Sequence, residues 1–123
     1  MVSFSGMFFG SSLLKNLNLG SFNTKRATDM SSMFRACTSL TTLDVSNFDT
    51  SNVVNMSNMF RRFPVTSLDL SNFNTSIVTD MSGIFSLAGN VKEIKVSNLW
   101  VIGGTTNISS MFEDCGVSNV TYI

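Results

Sequence analysis

Asp29-Met30-Ser31-Ser32-Met33-Phe34-Arg35-Ala36-Cys37 and, a few residues on, Leu40-Thr41-Thr42-Leu43-Asp44-Val45-Ser46-Asn47-Phe48-Asp49-Thr50 form a unit that the rest of the chain repeats. The Met33-Phe34 pair, or a close relative, returns at Met7-Phe8, Met59-Phe60, Ile84-Phe85 and Met111-Phe112, in steps of 26, 26, 25 and 27 residues. The second string returns as Leu14-Lys-Asn-Leu17-Asn-Leu19-Gly-Ser-Phe22-Asn-Thr24 and as Val65-Thr-Ser-Leu68-Asp-Leu70-Ser-Asn-Phe73-Asn-Thr75. It thins to Val91, Ile94, Val96 and Leu99 in the fourth copy, and to Val117, Val120 and Tyr122 in the fifth. Self-similarity at a fixed period of this size marks a repeat architecture.

Each copy carries two periodicities. Leu43-Asp44-Val45 alternates apolar and polar, as a half-buried strand does. Met30, Met33, Phe34 and Cys37 are spaced i, i+3, i+4, i+7, one face of a helical turn, and the set recurs around each Met-Phe pair. Ser3, Asp29, Asn55, Asp80 or Asn107 stands just before each apolar start, the place of a helix N-cap. One such unit cannot bury its own apolar side, but stacked units can. The predicted fold is therefore a leucine-rich-repeat-like solenoid of about five coils. Each coil of about 26 residues has one short parallel β-strand and one short α or 3₁₀ turn. The coils fall near 4–29, 30–55, 56–80, 81–107 and 108–123 of a single domain covering 1–123.

Composition narrows the function. Eight basic and eight acidic residues give zero net charge, which argues against nucleic acid as the main partner. Charged residues are 13% of the chain, so Ser, Thr and Asn must make most of the polar surface. No apolar run is long enough for a membrane-spanning helix. The opening Met1-Val-Ser-Phe-Ser-Gly has no basic stretch followed by an apolar core, so no secretory signal is visible.

Chemistry finds little to work with. There is no His, which rules out Ser-His-Asp and Cys-His arrangements. Cys37 and Cys115 occupy equivalent positions three copies apart, roughly 14 Å at the usual strand spacing. Both are expected to be free and to face the core, with Arg35 tending to lower the pKa of Cys37. Two distant thiols cannot build a zinc site. Asp44 and Asp69 are expected side by side on the outward strand face, where a shared calcium ion is conceivable but a solvated acidic pair is the preferred reading. No catalytic residue, metal or cofactor is assigned.

The string Leu-x-x-Leu-Asp-Val/Leu-Ser-Asn-Phe-Asp/Asn-Thr-x-x-Val, followed by Asp/Asn-Met-Ser-x-Met-Phe, resembles the repeat of BspA-like leucine-rich-repeat bacterial surface proteins, best over residues 29–60 and 65–85. The resemblance implies secretion or surface display, adhesion to host proteins or other cells, and no catalytic residues. The fourth copy departs from it at Leu99-Trp100-Val101-Ile102-Gly103-Gly104. The small size, the missing signal and the starting Met1 allow an alternative, a small intracellular or phage-encoded inhibitor that blocks a host protein. The location follows the same division: cell surface or secreted for a fragment, cytoplasmic for a complete chain.

A binding module, not an enzyme, is thus the expected function, with another protein or a glycan as partner. Its candidate contact residues are Thr42, Asp44, Ser67, Asp69, Glu93 and Lys95 on the strand face. Trp100 and Val101 join them, Trp100 either as an exposed hot spot or folded back over the core. An alternative basic patch is Arg35, Arg61 and Arg62. The bare last strand, residues 117–123, predicts end-to-end association, most simply a two-fold homodimer.

Overall fold

The computed structural model describes residues 2–123; Met1, on which the reading of a free-standing chain partly rests, lies outside them. The described residues contain no helix. They hold five short strands, β1 (Val2–Ser3), β2 (Ala27–Asp29), β3 (Ser67–Leu70), β4 (Glu93–Val96) and β5 (Thr121–Tyr122). These form two small parallel sheets, β1-β2 and β3-β4-β5. The expected leucine-rich-repeat-like solenoid, with one strand and one helical turn per coil, is therefore corrected on both counts. Leu43-Asp44-Val45 and Leu17-Asn18-Leu19 are not strands despite their alternation, and β1 and β2 lie where the sequence suggested helix caps.

Backbone handedness explains the missing helices. Gly6, Ser32, Asn58, Gly83 and Ser110 all have φ between 56 and 64°, and so occupy the left-handed region. Gly10, Ala36, Arg62, Leu87 and Asp114, four residues further on in each copy, do the same with φ of 53–72°. A left-handed residue costs a non-glycine side chain about 1–2 kcal/mol and ends any right-handed helix. The compensation is visible in the hydrogen bonds. Within a Met-Phe segment alternate N–H groups close tight turns, as from Met33 to the carbonyl of Met30 (3.3 Å) and from Arg35 to that of Ser32 (3.3 Å). The N–H groups between them leave the segment: those of Met30, Ser32, Phe34 and Ala36 donate to the carbonyls of Asn55, Ser57, Met59 and Arg61 at 2.9–3.0 Å. A helix capped at Asp29 would have kept those of Phe34 and Ala36 inside.

The residues expected as N-caps hold these turns instead. Oδ1 of Asp29, Asn55, Asp80 and Asn107 accepts the N–H of Ser31, Ser57, Ser82 and Ser109 at 2.9–3.0 Å. These four acids and amides thus act as Asx turns.

The core runs through all the copies. Phe8, Phe34, Phe60, Phe85 and Phe112 form one column, with neighbouring ring centroids 5.7, 5.7, 6.1 and 5.6 Å apart. Buried Met33, Met59, Met81 and Ile84, with Leu40, Val65, Leu68, Leu70, Ile94 and Val96, complete it. Three buried threonines tie neighbouring copies on the far side from the Met-Phe turns. Thr50 Oγ1 donates to the Asn74 carbonyl (2.9 Å) and accepts the Asn74 N–H (2.8 Å). Thr24 bridges to Asp49 and Thr75 to Val101 in the same way.

Candidate functional site

The strand side presents one continuous polar face, and alternation creates it. Along β3, Ser67 and Asp69 are exposed while Leu68 and Leu70 are buried; along β4, Glu93 and Lys95 are half-exposed between buried Ile94 and Val96. Parallel register places Ser67 beside Glu93, Asp69 beside Lys95, and Lys95 beside Thr121. Thr42 and Asp44 are exposed on the preceding copy, where the chain forms no ladder. The six strand-face residues singled out from the sequence therefore all reach solvent.

Electrostatically the face is a short row of mixed sign. Asp44 Oδ1 accepts hydrogen bonds from the Ser46 hydroxyl (2.6 Å) and backbone N–H (3.0 Å), which hold its carboxyl below the usual value. Ser71 does the same for Asp69, first through its side chain and then through its backbone; nearby Lys95 adds to the lowering and Asp44 opposes it. Lys95 Nζ also lies 3.7 Å from Glu93 Oε1, both side chains being well solvated, so that pair contributes little to stability. Each aspartate is committed to its own Asx turn. Among the described residues no group of three or more His, Cys, Asp or Glu side chains stands close enough to hold a metal ion.

Trp100 is a correction to its exposed reading. It is 2% exposed and stacks on Phe85 with centroids 6.0 Å apart. The cause is one extra residue. The N–H of Phe22, Phe48 and Phe73 each bonds the carbonyl three residues back, at Leu19, Val45 and Leu70, and Trp100 bonds Ser97 likewise. Since Val96, not Ser97, pairs with Leu70, the fourth copy has gained a residue there, and Trp100 falls in the Phe row rather than the Asn74 row. The place of Asn74 passes to Val101, whose N–H bonds Thr75 Oγ1 as that of Asn74 bonds Thr50. Val101 is 45% exposed, and Leu99 and Ile102 beside it are open to a similar degree. The indole Nε1 is buried without a partner, and the Tyr122 hydroxyl donates to the Trp100 carbonyl at 3.3 Å.

The basic side chains are less available than their charges suggest. The Arg35 guanidinium lies over the Phe9 ring at 4.8 Å, a cation–π contact. Arg61 is half-buried with its Nε lacking a partner, and Arg62 alone of the three is exposed. Arg62 lines an open cleft of about 450 Å³ with Thr38, Phe63, Pro64 and Leu87. Cys37 and Cys115 are both free, as expected; Cys37 is buried in the core and Cys115 half-buried against it. Burial pushes the Cys37 thiol up against a smaller lowering by a hydrogen bond with the Ser11 backbone, so the lowering expected from Arg35 does not decide its state; its Sγ donates to the Phe8 carbonyl at 3.0 Å.

The set Thr24, Thr50 and Thr75 is not among the residues the sequence analysis singles out; their recurrence at one position of the repeat is the signal that marks them.

A family model described as Mycoplasma protein of unknown function, DUF285, matches residues 2–122. The chain belongs to the DUF285 family. The match runs through every copy of the repeat, the strand face and Trp100 included, so membership covers the whole described architecture. No curated protein and no solved structure matches the chain. No helix of the described residues is long and apolar enough to cross a membrane.

Proposed function

We propose that this DUF285 chain is a non-catalytic binding module that engages another protein or a glycan through its strand face. The observation that carries the reading is the solvent-facing set Thr42, Asp44, Ser67, Asp69, Glu93 and Lys95 over a buried apolar layer, with Ser67 and Asp69 held in register beside Glu93 and Lys95. On β3 and β4 the backbone is fixed by the ladder, so little backbone entropy is lost there when a partner docks. Its side chains are short and polar, and the two aspartates are fixed by hydrogen bonds from Ser46 and Ser71. Val101, with Leu99 and Ile102, adds exposed apolar surface on the fourth copy. The family is one found in BspA-like surface repeat proteins, which supports display at a cell surface and an adhesive role.

The test is direct. The purified chain is applied to an array of immobilised extracellular proteins and glycans, and each hit is repeated with an Asp44→Lys/Asp69→Lys double variant. The strand-face reading expects at least about tenfold weaker binding, some 1.4 kcal/mol. An Arg62→Ala variant on the turn side should bind as the parent does. Hits that ignore the double variant but vanish with Arg62→Ala would sink the proposal.

A further inference from the structure

The third copy is cut short at one corner. Between the Met-Phe turn and the strand side, the first, second and fourth copies have two residues: Ser12-Leu13 before Leu14, Thr38-Ser39 before Leu40, and Gly89-Asn90 before Val91. There the N–H groups of Leu14, Leu40 and Val91 close a turn onto the carbonyls of Ser11, Cys37 and Ala88 at 3.1–3.3 Å. The third copy has Pro64 alone between Phe63 and Val65, which accounts for its shorter step. The missing residue leaves a notch, the cleft of about 450 Å³ that Arg62 lines. Thr38 of the second copy flanks it on one side, and Leu87 with Gly89-Asn90 of the fourth on the other. Buried Phe63 and half-buried Pro64, from the shortened corner itself, lie at its base.

We propose that this notch binds a small apolar monocarboxylate, a compound with a carboxylate beside an aromatic or branched aliphatic group. Charge selects the carboxylate. Arg62 is exposed, no acidic residue lines the notch, and Arg62 forms no ion pair among the described residues. Its planar guanidinium can grip both oxygens of a carboxylate at once. Its backbone is already fixed, in the left-handed region at φ 58° and with its N–H on the Ser86 carbonyl at 2.9 Å. The apolar part of the ligand rests on Phe63, Pro64 and Leu87. Thr38 and Asn90, both exposed, offer a hydroxyl and an amide to its polar substituents. An apolar lining with a few convergent polar groups, in a volume of about 300–1,000 Å³, is the usual make-up of a small-molecule site. The full-length corners of the second and fourth copies close the notch on both flanks, which favours a small molecule over a long peptide. The site lies on the turn side, apart from Asp44 and Asp69, and stands independently of the strand-face reading.

N-acetylphenylalanine is the probe, titrated into the isotope-labelled chain and followed by amide chemical shifts. Shifts should gather on Thr38, Arg62, Leu87 and Asn90, with a Kd on the order of 1 mM. N-acetylphenylalaninamide, which has the same ring and no charge, should bind at least about tenfold more weakly. Arg62→Ala should weaken the acid by a similar factor and leave the amide as it was, so that the preference between the two disappears. A serine inserted after Pro64 restores the corner length of the second and fourth copies and should abolish binding although Arg62 remains. Thr38→Trp, at an exposed position on the opposite flank, fills the notch without changing the backbone and should do the same. Unmoved amide shifts of Ser67–Leu70 verify that each variant folds. Acid and amide that bind alike, or binding that survives a filled notch in a folded chain, overturns the proposal. So does the absence of any shift at Thr38, Arg62 and Asn90 with the acid at about 20 mM, well above the expected Kd.

Discussion

The Met-Phe side and the strand side of the molecule both join each repeat to the next, but with different groups. On the Met-Phe side backbone N–H groups cross every junction, because alternating handedness turns half of them towards the neighbouring copy. On the strand side direct pairing is confined to β3, β4 and β5. Among the first three copies the work falls to side chains. Asn47 Nδ2 donates to the carbonyls of Leu19 (2.9 Å) and Phe22 (3.1 Å), and Asn72 Nδ2 to those of Val45 (2.9 Å) and Phe48 (2.8 Å). Thr24, Thr50 and Thr75 add two bonds each. A backbone junction tolerates many side chains, whereas a junction made by an amide or a hydroxyl depends on that residue. The Met-Phe side should therefore be sensitive to lost packing and the strand side to lost polar atoms.

The largest effect is expected from Phe60→Ala. Phe60 is fully buried and packs against Phe34, Phe63, Phe73 and Phe85. Its truncation should cost about 3–5 kcal/mol by urea unfolding, with the backbone junctions themselves left in place. A loss under 1 kcal/mol, on the order of a surface substitution, would mean that the aromatic column is not what holds this side together.

Thr50→Val comes next. The replacement keeps the volume and removes the hydroxyl, so no cavity forms, but the Asn74 N–H and carbonyl both lose their partner in a buried place. About 1–3 kcal/mol is expected, and Thr50→Ser, which retains the hydroxyl, should recover much of it. Equal losses for Val and Ser would point to the methyl group, and the contrast between the two sides would fail.

These two sites also differ in how readable they were. The 26-residue recurrence and the buried set Met33, Phe34, Met59, Phe60 and Phe85 stand in the sequence, because apolar spacing reports which side of a segment faces the core. It does not report handedness. Tight turns closed by i to i−3 bonds present Met30, Met33, Phe34 and Cys37 on one side much as a helix does, so the same spacing fits both. The discriminating signal was the series Gly6, Ser32, Asn58, Gly83 and Ser110, small or turn-forming residues at one position in every copy. Strand pairing was less accessible still. Leu43-Asp44-Val45 and Leu68-Asp69-Leu70 have the same alternation, yet only the second forms a ladder, since pairing is decided by the neighbouring copy rather than by the segment itself. Of the site, the strand face was legible because period-two alternation survives with or without a ladder. For Trp100 the sequence left two readings open, and the one residue inserted after Val96, which moves it into the Phe row, decides for the buried one.

The smallest effect is electrostatic and lies on the strand side alone. Asp44, Asp49 and Asp69 all have carboxyls held below the ordinary 3.8, chiefly by hydrogen bonds from Ser46, Ser51 and Ser71. A carboxyl whose folded pKa lies below its unfolded one stabilises the fold above the unfolded value. That contribution is lost as pH falls through the folded value. Urea midpoints should therefore decline below the ordinary carboxylate range, and an Asp49→Asn variant isolates the charged part. Asparagine fits the turn, since Asn74 Oδ1 accepts the Ser76 N–H at 3.0 Å in the equivalent place, where Asp49 Oδ1 accepts from Ser51. Near neutral pH the variant should be slightly the less stable, having lost the charge that strengthens these bonds and attracts Lys25. In strong acid, where Asp49 is protonated in both states, the two midpoints should converge. Asp44→Asn should show a weaker contrast, because removing its charge also relieves Asp69 of a repelling neighbour. A gap for Asp49→Asn that persists unchanged into acid would assign the effect to turn geometry instead of charge, and the polar ties of the strand side would then owe nothing to ionisation.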